Sequence, residues 1–329
     1  MPQDAKMKSR EQAAGGGGSL WKWGAGAAGA AALAGLAVVN RQAAKRAEAD
    51  NPPLGRFVDV SGLRVHCFEE GEGEPIVLIH GNGTMIEDWL VSGVFGALAK
   101  TNRVIAFDRP GFGHTPRPRS TIWTPQAQAA LLAEAFAALG IEKPVVVGHS
   151  FGTQVAVALA LNHPEAVSRL VLLGGYFFPS FRTDTLVASQ PAIPLIGDVM
   201  RYTVSPLTGA AMLPVVNRKL FAPAPVPEAW ETDFPLGMTL RPWQLRAAAA
   251  EAALMVPAAR ALSKRYATLT VPATIVAGAD DRVVTTKDQS RRLHDSLPSS
   301  RYVEIEGAGH MVHHSATGEV LAAIRETAE

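Results

Sequence analysis

Pro144-Val145-Val146-Val147-Gly148-His149-Ser150-Phe151-Gly152 is a short β-branched run feeding a Gly-x-Ser-x-Gly turn. The helix-like Thr153-Gln154-Val155-Ala156-Val157-Ala158-Leu159-Ala160 leads out of it, so the motif has a strand before it and a helix after it. The flanking glycines suit a turn too tight for side chains, and the strain leaves the serine hydroxyl projecting above the sheet edge. That hydroxyl also lies at a helix N-terminus, where free N–H groups and the helix dipole favour developing negative charge. Taken alone, the same pattern also fits a glycine-rich turn with an incidental serine; the remaining motifs decide.

A serine hydroxyl is a poor nucleophile at neutral pH and needs a base oriented by a third group. Downstream, Pro272-Ala273-Thr274-Ile275-Val276-Ala277-Gly278-Ala279-Asp280-Asp281 is an apolar strand ending in a Gly-acid loop. Arg301-Tyr302-Val303-Glu304-Ile305 is another strand, followed by Glu306-Gly307-Ala308-Gly309-His310. An acid after one strand and a histidine after the next can meet above the carboxyl ends of a parallel sheet, where ligands collect in open α/β folds.

With these residues the chain resembles the α/β-hydrolase superfamily, from about Phe57 to about Arg325. His80-Gly81-Asn82-Gly83 follows the strand Ile76-Val77-Leu78-Ile79 as an HG-x-G oxyanion loop does. Asp108-Arg109-Pro110-Gly111-Phe112-Gly113-His114-Thr115 is similar to the family's D-R-x-G-x-G-x-S segment, with threonine in the last place. Gly278-x-x-Asp281 and Gly307-x-Gly309-His310 match its acid and histidine loops. The resemblance implies Ser150 as nucleophile, His310 as general base and Asp281 as orienting acid, with Asp280 the adjacent alternative. It also implies an oxyanion hole from the backbone N–H groups of Asn82 and Phe151. His313 and His314 compete with His310 on chemistry but not on motif position. A metal site at His310-x-x-His313-His314 lacks a companion carboxylate or cysteine cluster at ligand spacing. His80, His149 and Asp108 read as structural.

The nucleophile narrows the subclass. Asn82 in His80-Gly81-Asn82 is similar to haloalkane dehalogenases, which attack with aspartate, as the related epoxide hydrolases do. Here Ser150 stands in that place, and Phe151 stands where dehalogenases usually carry tryptophan. The resemblance therefore implies hydrolysis of carboxylic esters through an acyl-enzyme. Cofactor-free perhydrolysis and C–C bond hydrolysis use the same triad, and a catalytically silent ligand-binding member of the fold is the alternative from another class. No dinucleotide loop or Walker pattern occurs, so neither cofactor nor metal is expected.

Eight strand-like runs, Arg56–Val60, Arg64–Glu69, Pro75–Ile79, Arg103–Phe107, Pro144–Gly148, Arg169–Leu173, Pro272–Ala277 and Arg301–Ile305, alternate with helical patterns including Pro125–Leu139, Phe151–Leu161, Thr285–Ser296 and Thr317–Glu326. This predicts an α/β fold with an eight-stranded, mostly parallel sheet, whose first pair is an antiparallel hairpin at Ser61-Gly62. The core falls in two parts, 56–175 and 271–329. Between them, 176–270 breaks the alternation and is rich in proline, aromatics and methionine. A helical cap between strands 6 and 7 is expected there, with a plain helix from Gln244 to about Arg265. Its large apolar residues fit a cap core, with some left to line a pocket for a bulky hydrophobic ester substrate.

The N-terminal region differs in kind. Residues 1–19 are polar, end in a glycine run and are expected to be disordered. Residues 20–39 are apolar apart from Lys22 and long enough to span a bilayer, with Trp21 and Trp23 at one end. The expectation is a membrane anchor, followed by a polar linker over 40–55; a cleaved signal peptide and an alanine-rich soluble helix are the alternatives. Four Lys/Arg before the span core against three after it favour a cytoplasmic N-terminus with the hydrolase domain outside, the alternative being a secreted or soluble cytoplasmic protein. The first fifty residues carry seven Lys/Arg against four Asp/Glu, and the remainder 24 against 26. That balance lacks the basic footprint of nucleic-acid binding. A single cysteine excludes an intramolecular disulfide framework.

Overall fold

The structure is a computed structural model that describes residues 17–328. Eight strands form one sheet: β1 (Arg56–Val60), β2 (Leu63–Glu70), β3 (Pro75–Ile79), β4 (Arg103–Phe107), β5 (Val145–His149), β6 (Arg169–Leu173), β7 (Ala273–Gly278) and β8 (Arg301–Ile305). Their spatial order is β1-β2-β4-β3-β5-β6-β7-β8. β2 pairs antiparallel with both β1 and β4, and the other pairings are parallel. A single reversed strand is what a tight hairpin at Ser61-Gly62 produces, because parallel neighbours need a longer crossover. The expected fold class holds, and the strand bounds agree with the sequence reading to within a residue.

Successive residues of a strand face opposite sides of the sheet, so continuous apolar runs build two cores at once. Val146, Leu170 and Leu172 pack on one face with helices α2 (Pro125–Leu139) and α3 (Phe151–Asn162). Val145, Val147, Val171 and Leu173 pack on the other, against Trp89, Phe95, Val320 and Ile324. The helix expected over Thr285–Ser296 is a π-helical turn at Lys287–Arg291 running into Arg292–Ser296. Cys67 is buried in β2, and burial pushes its thiol up to about 11, which removes it from thiolate chemistry.

A helical insertion joins β6 to β7. Its longest members are α4 (Val204–Phe221) and α5 (Pro242–Ser263). Phe221, Trp230, Phe234 and Met238 form its core together with Met85 and Met311 from the loops at the sheet's edge. Trp230 and Phe234 stack with centroids 4.0 Å apart. Other large apolar side chains of the insertion stay outside that core, including the exposed Phe181, Leu195 and Met212.

The N-terminal expectations need correction. Of the stretch read as disordered, 1–16 lies outside the described residues, and 17–19 begin helix α1 (Gly17–Asp50). At 34 residues α1 is long, yet among the described residues no helix is long and apolar enough to cross a membrane, and the span expected over 20–39 is withdrawn. Alanine and glycine supply length with little apolar surface. Nor is the stretch from 40 a free linker. Asn40 and Ala44 are buried, and Glu48 pairs with Arg241 at the start of α5. α1 ends where the Asn51 side chain donates to the Ala47 carbonyl at 2.8 Å, before Pro52 and Pro53.

Candidate active site

β5 ends at His149, and Ser150 follows with φ +50° and ψ −117°, a strained conformation for a residue with a side chain. It caps the N-terminus of α3. The turn closes only because Gly152 lacks a side chain: a Cβ there would lie 2.4 Å from the Ile79 carbonyl oxygen. Gly278, at the end of β7, plays the same part between the acid and histidine loops, with a Cβ falling 2.3 Å from the Ala308 carbonyl oxygen.

Those loops bring three distant side chains together. His310 Nε2 stands 3.0 Å from Ser150 Oγ, and His310 Nδ1 stands 2.8 Å from Asp281 Oδ2. The other Asp281 oxygen accepts the backbone N–H groups of Val283 and Val284 at 2.7 and 2.8 Å. Both Asp281 and His310 are buried at the side chain, at 1% and 3% exposure, while Asp280 faces solvent. Oriented this way, the imidazole can accept the hydroxyl proton, and the carboxylate can hold the remaining N–H.

The loop after β3 faces the serine. Among the described residues, neither the Asn82 nor the Phe151 N–H is taken up by an internal hydrogen bond, so both are open to an oxyanion. The loop itself is held from behind. His80 Nε2 accepts the Arg109 N–H at 3.0 Å, which leaves its Nδ1–H to donate to the Gly81 carbonyl at 2.8 Å. Burial, and then the Arg109 charge, push the His80 pKa down to about 3. Asp108 ties three segments, accepting from His66 Nδ1 and from the Ile86 and His114 N–H groups. Both residues thus have the structural roles read from the sequence.

A second group of titratable side chains lies beneath His310. Asp88 Oδ1 accepts from His313 Nε2 at 2.9 Å and His314 Nε2 at 2.8 Å. Asp88, His149 and His313 carry ligand atoms within 4.8 Å of one another, close enough to hold an ion. The carboxylate missing at ligand spacing in the sequence therefore comes from 225 residues away. Two further residues went unread. Arg109 sits inside a motif that assigned it no role, and Glu251 is the lone acid in the alanine-rich Ala247–Ala253 run. A solitary charge in such a helix is the signal that marks it.

A cavity of about 320 Å³ opens beside Asn82, walled by Val216, Leu220, Ala252, Met255 and Val283, with Arg182 and Lys219 among its polar lining.

Compared with known proteins, the chain matches the alpha/beta hydrolase fold family over residues 74–317. It is 40% identical to 2-hydroxymuconate semialdehyde hydrolase of a Pseudomonas species over 138 residues, 40% of this chain and 47% of that protein. The match thus spans about half the length of that curated relative. Haloalkane dehalogenase 2 of Mycobacterium bovis is 30% identical over 287 residues, 84% of this chain and 95% of that one. Among solved structures, a bacterial membrane phospholipase A superimposes with a TM-score of 0.63 at 24% identity, over 94% of this chain and 96% of its own, a likeness of fold that reaches into α1.

Proposed function

We propose that this chain, which belongs to the α/β-hydrolase fold family, is a serine hydrolase that cleaves carboxylic esters with an apolar acyl or alcohol part. The observation that carries this reading is the unbroken line from Ser150 Oγ through His310 to Asp281, at 3.0 and 2.8 Å. His310 Nε2 takes the serine proton as Oγ attacks the ester carbonyl carbon, and Asp281 stabilises the imidazolium that forms. The oxyanion gathers the N–H groups of Asn82 and Phe151, donors worth about 3–4 kcal/mol each in such sites. Collapse expels the alcohol with the proton from His310. Water, deprotonated by the same imidazole, then releases the acid and frees Ser150. The apolar wall of the cavity beside Asn82 supports a hydrophobic substrate.

The nucleophile argues against dehalogenation despite the 30% identity to haloalkane dehalogenase 2. An alkyl halide route through an ester to the enzyme needs a carboxylate where this chain has Ser150. A second reading is C–C bond hydrolysis, favoured by the 40% identity to 2-hydroxymuconate semialdehyde hydrolase. The test is labelling by a fluorophosphonate, with the adduct located by mass spectrometry, then turnover of p-nitrophenyl esters of increasing chain length. Labelling at Ser150 that is lost in Ser150→Ala and His310→Ala, together with ester turnover, upholds the reading. Turnover of a dienoate ring-cleavage product in preference to every ester replaces it with the second, and full activity of Ser150→Ala rejects both.

A further inference from the structure

The Gly81 carbonyl and the Asn82 N–H belong to one planar trans peptide, so they point in opposite directions. Whatever holds the carbonyl aims the N–H. Arg109 holds it together with His80 Nδ1–H and the Thr84 hydroxyl: its Nη2 donates to the Gly81 oxygen at 2.7 Å, the shortest of the three bonds, and its Nε donates to the His80 oxygen at 2.9 Å. The rest of the guanidinium is turned to Glu251 of helix α5, with Nη2 donating to Oε2 at 3.0 Å and Nη1 donating to Oε1. Gln128 joins the group, accepting from Arg109 Nη1 at 3.1 Å and donating to Glu251 Oε1 at 3.0 Å, and Nη1 of Arg117, whose side chain is buried, lies 3.6 Å from the same Glu251 oxygen. The Arg109 and Glu251 side chains are buried, at 1% and 0% exposure. An arginine enclosed in this way needs a carboxylate beside it, since an unpaired buried charge is strongly destabilising.

Glu251 is not the only point where α5 meets this loop. The Asn82 side chain donates to the Ala248 carbonyl at 3.1 Å, and Gln244 Nε2 reaches the Gly83 carbonyl at 3.5 Å. Gln244, Ala248 and Glu251 are spaced by four and three residues, which puts them on one face of the helix. The insertion thus grips Gly81, Asn82 and Gly83 in succession, the first through Arg109.

Resting on the serine-hydrolase reading above, we propose that Arg109, fixed by Glu251, is the positioning residue for the oxyanion hole. It aims and polarises the Asn82 N–H through the shared peptide, so that docking of α5 assembles the hole. Catalysis then depends on a contact between the insertion and the sheet that touches no substrate.

Arg109→Lys keeps the charge but loses the planar fork, and Glu251→Gln keeps the shape of the anchor but loses its charge. In both, kcat on a short p-nitrophenyl ester should fall by about 10- to 100-fold, part of what loss of a whole oxyanion donor costs, with KM within about twofold. Affinity for a trifluoromethyl ketone, whose adduct places an oxyanion in the hole, should fall by the same factor as kcat/KM. Arg109→Met should lose more than Arg109→Lys. Glu251→Gln is nearly isosteric, and its outcome decides the matter if the arginine variants do not fold. Unchanged kcat in a folded Glu251→Gln, or a raised KM with kcat intact, overturns the proposal. Failure of the underlying reading looks different, because Ser150→Ala would then retain turnover.

Discussion

The imidazole of His149, the residue immediately before Ser150, donates from Nε2 to the backbone carbonyl of His310 at 3.1 Å. One hydrogen bond therefore ties the strand end bearing the proposed nucleophile to the loop bearing the proposed base. Burial, and then the charges of His313 and His310, hold the His149 pKa well below the ordinary histidine value. His149→Phe keeps a ring but removes the donor, leaving a buried carbonyl unpaired. Stability should fall by about 1–3 kcal/mol, read from urea unfolding, and kcat should fall with it as His310 loses its register. An unchanged unfolding free energy would show that the bond contributes nothing.

Asp281 acts as an acceptor on both oxygens, toward Val283 and Val284 N–H on one side and His310 Nδ1–H on the other. Asparagine offers only one such oxygen. The two backbone donors will claim it, so the NH₂ turns to His310 and selects the tautomer whose Nε2 carries the proton. That tautomer cannot accept from Ser150. Asp281→Asn should therefore lower kcat by about 10⁴-fold in a folded protein, while the exposed Asp280→Asn should change little. Equal losses at the two positions would reassign the acid.

How much of this was legible beforehand follows from where each signal resides. β5 announces itself because β-branched residues followed by Gly-His-Ser-Phe-Gly encode strand, turn and helix within a few residues. Ser150, Asp281 and His310 were readable for the same reason, each lying in a loop with its own local pattern. Glu251 was not, since its partner Arg109 lies 142 residues away and only folding brings them together. The N-terminal helix misled because alanine and glycine satisfy a length criterion without supplying apolarity. The docking of Asn40 and Glu48 depends on insertion residues that no local pattern names.

Acid should unfold the protein in a way set by its buried histidines. His80 is held near 3, and His149 and His313 are also lowered, with burial the main cause in each. In the unfolded chain all three titrate near 6.5. Below that pH the unfolded state binds more protons than the folded one, so stability falls as pH falls, by up to about 1.4 kcal/mol per pH unit for His80 down to its folded value, with His149 and His313 adding in the same direction. Glu87 opposes one of them. Burial and Asp108 raise it to about 7 from 4.5, so between those values its contribution falls as pH rises. Below 4.5 that opposition ends, and Asp108 and Asp88 begin to add to the loss, their carboxyls held low by histidine partners against the effect of burial. Urea midpoints should thus decline from pH 6.5 and drop more steeply below about pH 4.5. In His80→Gln the slope between pH 6 and 4 should lessen by about one proton. A midpoint constant from pH 7 to 4 would contradict this.

The cavity beside Asn82 predicts chain-length selectivity. Val216 lines it from α4 and is partly exposed, so a larger side chain there can be accommodated without strain in the core. Val216→Trp should reduce kcat/KM for long acyl esters by about 10-fold or more, since lost apolar contact costs about 0.8 kcal/mol per methylene. Acetyl esters should be nearly unaffected. Competition between acetyl and decanoyl esters measures the ratio directly, and equal losses for both would exclude this cavity as the acyl site.

Asn40 offers a test of how α1 is held. Its Nδ2 donates to the carbonyls of Tyr202 and Thr203 at 2.9 and 2.6 Å. These lie at the junction where the helix Ile196–Tyr202 ends and α4 begins, and carbonyls at a helix C-terminus lack intrahelical partners. One side chain from α1 thus satisfies two acceptors of the insertion at a buried site. Asn40→Ala leaves both unpaired and should cost about 1–3 kcal/mol, whereas Asn40→Asp, which presents acceptors to acceptors, should cost more. The neighbouring Val39→Ala, exposed on the same helix, should cost little. Limited proteolysis between α1 and β1 should quicken in the Asn40 variants alone, because losing that contact frees the helix from the insertion before the sheet unfolds. Equal proteolysis in wild type and Asn40→Asp would mean that α1 is held by Glu48 and Arg241 instead.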